Sequence, residues 1–245
     1  DGIRDFCLSR GLGDVYKRQI LPNLSTLDVP TGWIEAVDLK TGASETQYRS
    51  CNGIPLIGPN DIVFDTFGGF WFTDHGHTRR RDRDRGGVFY AKIDGSHIQE
   101  VISPMDGPNG IGLSPDGSQL YVAETPTGRL WSFEIREPGV LQKQKRIVPW
   151  EKGKLIASPE GYHLFDSLAL DSLGNIFVGS IPGKIDVFSA TGEHIDRIIL
   201  PDIFPTNICF GGPDLDTAFI TLSSTGKLIS MKWPTKGLAL NFPHG

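Results

Sequence analysis

Residues 109–124 read NGIGLSPDGSQLYVAE: a polar start, an apolar run, an S-P-D-G turn and a second apolar run. That is the pattern of a β-hairpin. The same template returns as NDIVFDTFGGFWFTD (60–74), DSLALDSLGNIFVGS (166–180) and TNICFGGPDLDTAFIT (206–221). Each copy is followed by a further strand-like run: GGVFYAKIDG (86–95), GRLWSFEI (128–135), GKIDVFSATG (183–192) and GKLISMKW (226–233). The template starts at 60, 109, 166 and 206, so the repeat is 40–57 residues long. A repeat of roughly 40–50 residues with four strands is a propeller blade. The widest spacing contains a Lys-, Gln- and Pro-rich insertion at 137–160.

Outside these hairpins, GWIEAVDLKTG (32–42) matches the outer-strand run but has no hairpin of the template before it. The expected fold is therefore all-β: a propeller with about four and a half blades present and its first blade missing. Residues 20–245 are expected to form one propeller domain. The preceding DGIRDFCLSRGLGDVYKRQ (1–19) has no period of 2 or 3.6 and resembles translated adapter read-through, so it is expected to be a non-native tail that stays apart from the blades.

Composition agrees with a turn-rich β-protein. Gly (30) and Pro (17) together are about a fifth of the 245 residues, and the net charge is −5. The acidic balance argues against a nucleic-acid partner. No apolar run approaches the ~18 residues of a membrane span, so no membrane partner is expected. Cys7, Cys51 and Cys209 form no C-x-x-C pair, which argues against a disulfide framework and gives a cytoplasmic setting as the default. The run RRRDRDR (79–85) mixes both signs and reads as a solvated blade loop or a subunit contact.

Aligning the hairpins on Ile62, Ile111, Leu168 and Ile208 places Asn60, Asn109, Asp166 and Thr206 at one equivalent position. In a propeller the first strand of each blade lines the channel, so these side chains converge at one mouth. Each Asn or Asp taken alone could simply cap a turn. Three in register, two of them after Pro59 and Pro108, favour a shared oxygen-ligand site for a hard cation such as Ca²⁺. The set holds no His or Cys, which makes Zn²⁺ less natural.

The segments GPNDIVFDTFGGFWFTDHG, GPNGIGLSPDGSQLYVAETPTGRLW, YHLFDSLALDSLGNIFVGS and FPTNICFGGPDLDTAFIT resemble the gluconolactonase-like family, which includes regucalcin. The resemblance covers roughly residues 30–240. It implies a six-bladed propeller with a divalent ion on its axis, hydrolysing sugar lactones or related cyclic esters. It implies Asn60, Asn109 and Asp166 as metal ligands, with Asp166 also the catalytic carboxylate. The family's fourth ligand, a Glu of the first blade, has no counterpart in this sequence. Ca²⁺ is the expected ion, with Zn²⁺, Mn²⁺ and Mg²⁺ as alternatives. Asp74 is similar to a second catalytic acid of some members. His75 and His77 either contact substrate hydroxyls or stand as solvated loop residues. His163 is expected to pack in its loop, the alternative being to orient Asp166. The expected partner is a small-molecule lactone. An esterase or phosphotriesterase on the same scaffold, and a non-catalytic Ca²⁺-binding or interaction propeller, are the competing readings.

Overall fold

The computed structural model describes residues 12–13, 18–23, 31–143, 148 and 151–241, the first two stretches as backbone. Every regular element among the described residues is a β-strand. The chain divides into two compact units.

The unit that ends at Pro108 contains two sheets. The first is formed by β1 (Leu12–Gly13), β2 (Arg18–Asn23), β3 (Trp33–Asp38) and β4 (Ser44–Tyr48) in sequence order. A small ladder of β5 (Ser50–Cys51) and β6 (Ile54–Pro55) follows. The second sheet is formed by β7 (Pro59–Phe64), β8 (Gly69–Asp74), β9 (Gly86–Lys92) and β10 (Ile98–Met105). Ile135–Leu141 also belong to this unit.

The other unit holds Asn109–Glu134 and Gln142–Ala239. Its first sheet comprises β11 (Pro108–Leu113), β12 (Gln119–Glu124), β13 (Arg129–Glu137) and β14 (Val140–Leu141), with β15 (Lys154–Ala157) also paired to β13. The next is β16 (Leu164–Leu170), β17 (Ile176–Ile181), β18 (Lys184–Phe188) and β19 (His194–Ile199). The last is β20 (Pro205–Gly211), β21 (Thr217–Leu222) and β22 (Lys227–Lys232). Successive antiparallel meanders of about four strands are blades, and the fold is the β-propeller read from the sequence.

Burial grades from the inner to the outer strand. All six residues of β8, β11, β12 or β17 are buried or nearly so, whereas β19 and β22 are largely exposed. Inner strands pack on both faces and so read as continuous apolar runs, while the outer edge meets water. In the unit ending at Pro108, Ile34, Ala36 and Tyr48 of one sheet meet Phe64, Phe70, Phe72 and Phe89 of the next. In the other unit, Phe177, Ile185 and Val187 meet Ile208, Ile220 and Leu222 in the same way. Each such buried side chain contributes about 1.5–3 kcal/mol relative to exposure.

The template's D-x-x-G turns have a common chemistry. Asp65 Oδ1 accepts from Phe67 N and Gly69 N at 2.7 and 2.9 Å, and Asp171 Oδ1 accepts from Leu173 N and Asn175 N at 3.0 and 2.8 Å. Gly68 and Gly174 supply the left-handed residue of each turn, at φ 74° and 84°.

Part of segment 1–19 pairs with the first sheet: Leu12 lies opposite Gln19, Arg18 opposite Asp38, and Gln19 opposite Val37. Strand pairing uses backbone groups alone, and the open edge of β3 accepts a neighbour without an apolar period. Trp33–Asp38 is thus an inner member of a four-stranded sheet. Residues 1–11 and 14–17, including Cys7, lie outside the described residues.

Candidate active site

Asn60, Asp166 and Thr206 share a feature that the sequence did not show. In β7 the pairing runs Pro59↔Asp74 and then Ile62↔Phe72, so one extra residue is inserted around Asn60 and Asp61. In β16 it runs Phe165↔Ser180 and then Leu168↔Val178, placing the insertion at Asp166 and Ser167. In β20 it runs Pro205↔Leu222 and then Asn207↔Thr221, placing it at Thr206. Three blades thus carry a one-residue β-bulge at the position that the sequence alignment singles out. Bulges re-aim side chains and are common beside active sites.

Within the second unit the strand starts come together. A methyl group built on Gly110 would lie 2.7 Å from Asp166 O and 2.6 Å from Leu168 N. Only glycine lets β11 approach the β16 bulge this closely, so Asn109 and Asp166 stand on adjoining backbones. On the other side, Gly179 faces Pro205 O at 3.0 Å and the Asp166 Cβ at 3.7 Å, again measured from the position a methyl would take. Ser167 Oγ donates to Asn207 Oδ1 at 3.1 Å. Asn109 is buried, and its Nδ2 donates to Thr125 Oγ1 at 3.1 Å, which fixes the amide plane. Asp166 is partly exposed, as a carboxylate that must meet a ligand has to be. Asn60 stands in the other unit; its bulge is observed and its place in a ligand set is carried by the motif.

These donors are amide and carboxylate oxygens, the chemistry of a Ca²⁺-type ion. Among the described residues no three His, Cys, Asp or Glu side chains form a metal cluster.

The sheet that carries Asp166 also holds a buried polar network. His163 Nε2 donates to Glu160 O (2.8 Å), and its Nδ1 is bonded to Ser180 Oγ (3.0 Å). Asp186 is fully buried: its Oδ1 accepts from Arg197 Nε at 2.6 Å and His194 Nε2 at 2.8 Å, and its Oδ2 faces His163 Nδ1 at 3.5 Å. Burial pushes the Asp186 carboxyl up, but hydrogen bonds from Arg197, His194 and Ser180 outweigh it and hold the group below its ordinary value. His163 is therefore packed in its loop, as the sequence reading favoured.

Asp74 has a bracing role. Its carboxylate accepts from Ile57 N (2.8 Å), Gly58 N (2.7 Å) and Gly76 N (3.1 Å), and the residue is 5% exposed. Burial raises its pKa despite these bonds. A carboxylate so engaged ties the backbone at residues 57, 58 and 76 together. We expect Asp74→Asn to destabilise the protein by about 2 kcal/mol, because the new amide turns two N–H donors toward backbone donors. Urea unfolding would show it, and an unchanged midpoint would refute the bracing role.

His75 is mostly buried, and its ring donates to the Pro108 carbonyl. Burial first, then the nearby Arg83 charge, lowers its pKa to about 4, so it is neutral at pH 7. His77 lies on a short hairpin finger: its N donates to Asp84 Oδ2 at 3.1 Å and its O accepts from Asp84 N at 2.9 Å. The finger brings the Arg83 charge near enough to His75 to act on its pKa, which the mixed charge run did not reveal.

Residues 25–224 match the model of the SMP-30/Gluconolactonase/LRE-like region. Lactonase drp35 of Staphylococcus haemolyticus is 34% identical over 145 residues, covering 58% of this chain and 42% of that protein. A 6-deoxy-6-sulfogluconolactonase of Pseudomonas putida is 30% identical over 185 residues, covering 73% and 59% respectively. The chain thus spans about half the length of the curated relatives it matches. A gluconolactonase structure from Xanthomonas campestris superposes with a TM-score of 0.73 at 25% identity, over 91% of this chain and 71% of that one. The repeated hairpins, the bulged strand starts and the family match over most of the sequence lead to one conclusion: the chain belongs to the SMP-30/gluconolactonase/LRE-like family.

Proposed function

We propose that the chain carries the site of a divalent-metal-dependent hydrolase that opens sugar lactones. The observation that supports this best is the bulge repeated at the aligned strand starts, with Asn109 and Asp166 held on adjoining backbones through Gly110. A scaffold propeller has no need to re-aim an oxygen-bearing side chain at the same point of successive blades. Lactonase relatives support the substrate class.

Asn109 and Asp166 would hold the ion, Ca²⁺ by donor chemistry, and Asn60 joins them on the motif alone. When bound, the ion supplies Lewis acidity toward a lactone carbonyl. Asp166 acts as general base: its carboxylate takes a proton from water as the water oxygen bonds to the carbonyl carbon. The ring C–O bond then breaks, and the leaving alkoxide takes that proton, giving the open hydroxy acid. Asn109, fixed by Thr125, keeps its oxygen in place beside that carboxylate.

The test is acid release from a panel of δ- and γ-sugar lactones, before and after chelation and with Ca²⁺, Zn²⁺, Mn²⁺ or Mg²⁺ restored. Hydrolysis lost on chelation and recovered with one ion is the expected result. Hydrolysis that ignores the chelator would overturn the metal role. Ion binding without turnover of any lactone would favour the non-catalytic reading.

A further inference from the structure

Arg83 lacks the partner that its neighbours have. Arg79 forms a two-pronged bond to Asp84, at 2.9 and 2.8 Å, and also pairs with Asp82. Arg85 reaches Asp106 at 3.0 Å. Arg83 is bracketed in sequence by Asp82 and Asp84, yet both of these acids are engaged by Arg79. Its backbone lies opposite Thr78 in the finger. Its Nε and Nη2 are shut off from solvent and meet no hydrogen-bond acceptor. His75, close enough to feel the Arg83 charge, likewise has a buried Nδ1 with no partner.

Leaving charged donors buried and unpaired is costly, so such an arrangement points to a missing ligand. The two free donors are also specific in shape. Nε and one Nη lie on the same edge of a guanidinium, the edge that takes a carboxylate, sulfonate or phosphate through two parallel bonds. The His75 ring gives its proton to the Pro108 carbonyl, so Nδ1 is left as an acceptor suited to a hydroxyl. Pro108 directly precedes Asn109 in the chain.

We propose that Arg83 and His75 form an oxyanion-reading subsite, in which the Arg83 edge holds a ligand carboxylate or sulfonate and His75 Nδ1 accepts an adjoining hydroxyl. It rests on the lactonase reading for the identity of its ligand. The oxyanion is either an acidic substituent of the substrate lactone or the carboxylate of the opened product, which lies next to its 2-hydroxyl. The proposal makes Arg83 a specificity-determining residue.

The experiment has a binding arm and a kinetic arm. In the binding arm, gluconate is titrated calorimetrically into the whole chain, with uncharged glucitol as control. Gluconate should bind and glucitol should not, and Arg83→Gln should weaken gluconate about 10–100-fold, the worth of a charged hydrogen-bonded pair. Arg83→Lys keeps the charge and loses the two-pronged edge, so it should fall between the two; it also serves if Arg83→Gln does not fold. In the kinetic arm, a higher KM confined to carboxylate- or sulfonate-bearing lactones assigns the subsite to the substrate. Weaker inhibition by the product of a neutral lactone assigns it to the product. Both results support the subsite. Gluconate binding that is unchanged in the folded Gln and Lys variants, or that glucitol matches, overturns it. The binding arm needs no turnover, so Arg83-dependent gluconate binding without lactone hydrolysis would leave the subsite standing and remove the lactonase reading.

Discussion

Asp166→Asn is expected to lower lactone hydrolysis about 10²–10⁴-fold at saturating ion while the propeller stays folded, the usual contribution of a positioned general base. The substitution keeps the size of the side chain and one coordinating oxygen. It removes the proton acceptor and a negative charge next to the ion. Asp166 sits partly exposed on the β16 bulge, so the neutral amide meets no new steric conflict. Circular dichroism should match the parent. If the variant keeps more than about a tenth of the parent rate at saturating ion, well above the loss expected for a missing base, Asp166 is not the base.

Gly110→Ala should be nearly as damaging through a purely steric route. The new methyl would sit 2.6–2.8 Å from Leu168 N, Asp166 O and Ser167 C, all of them backbone atoms that cannot rotate away. The β11 and β16 starts must move apart, at about 1–3 kcal/mol of stability. A shift near 1 Å at a reacting group can cost about 100-fold in rate. Gly112→Ala on the same strand is the control. Its methyl would meet only the Leu168 and Leu170 Cδ1 atoms, at 2.7 and 2.6 Å, and those side-chain ends can turn aside. A loss of rate at Gly110 that is absent at Gly112 identifies the approach to Asp166 as the cause. Equal effects at the two positions would contradict it.

The hairpins at 60–74, 109–124 and 166–180 were legible because each of their turns pairs a polar side chain that accepts from the backbone with a glycine of positive φ. Asp65 with Gly68, and Asp171 with Gly174, do in the structure what their spacing implies. The equivalence of Asn60, Asp166 and Thr206 within their strands was legible from the same template. The bulges were not, because one extra residue at a strand start scarcely disturbs an apolar pattern. Asp186 was hidden by its own strand: in GKIDVF it reads as the outward residue of an alternation, yet it is fully buried because His194 and Arg197 reach it from the next strand. Arg83 was hidden because a run of alternating Arg and Asp does not say which arginine is left without an acid.

The measurement that tests the account most directly is a crystal structure of the chain soaked with Ca²⁺, and with Mn²⁺ for its anomalous signal. The account predicts one ion bound by the Asn109 side-chain oxygen and the Asp166 carboxylate, at the ~2.3–2.6 Å expected for Ca²⁺–oxygen bonds. An ion bound elsewhere, or an Asp166 carboxylate that remains without metal at saturating Ca²⁺, would contradict it.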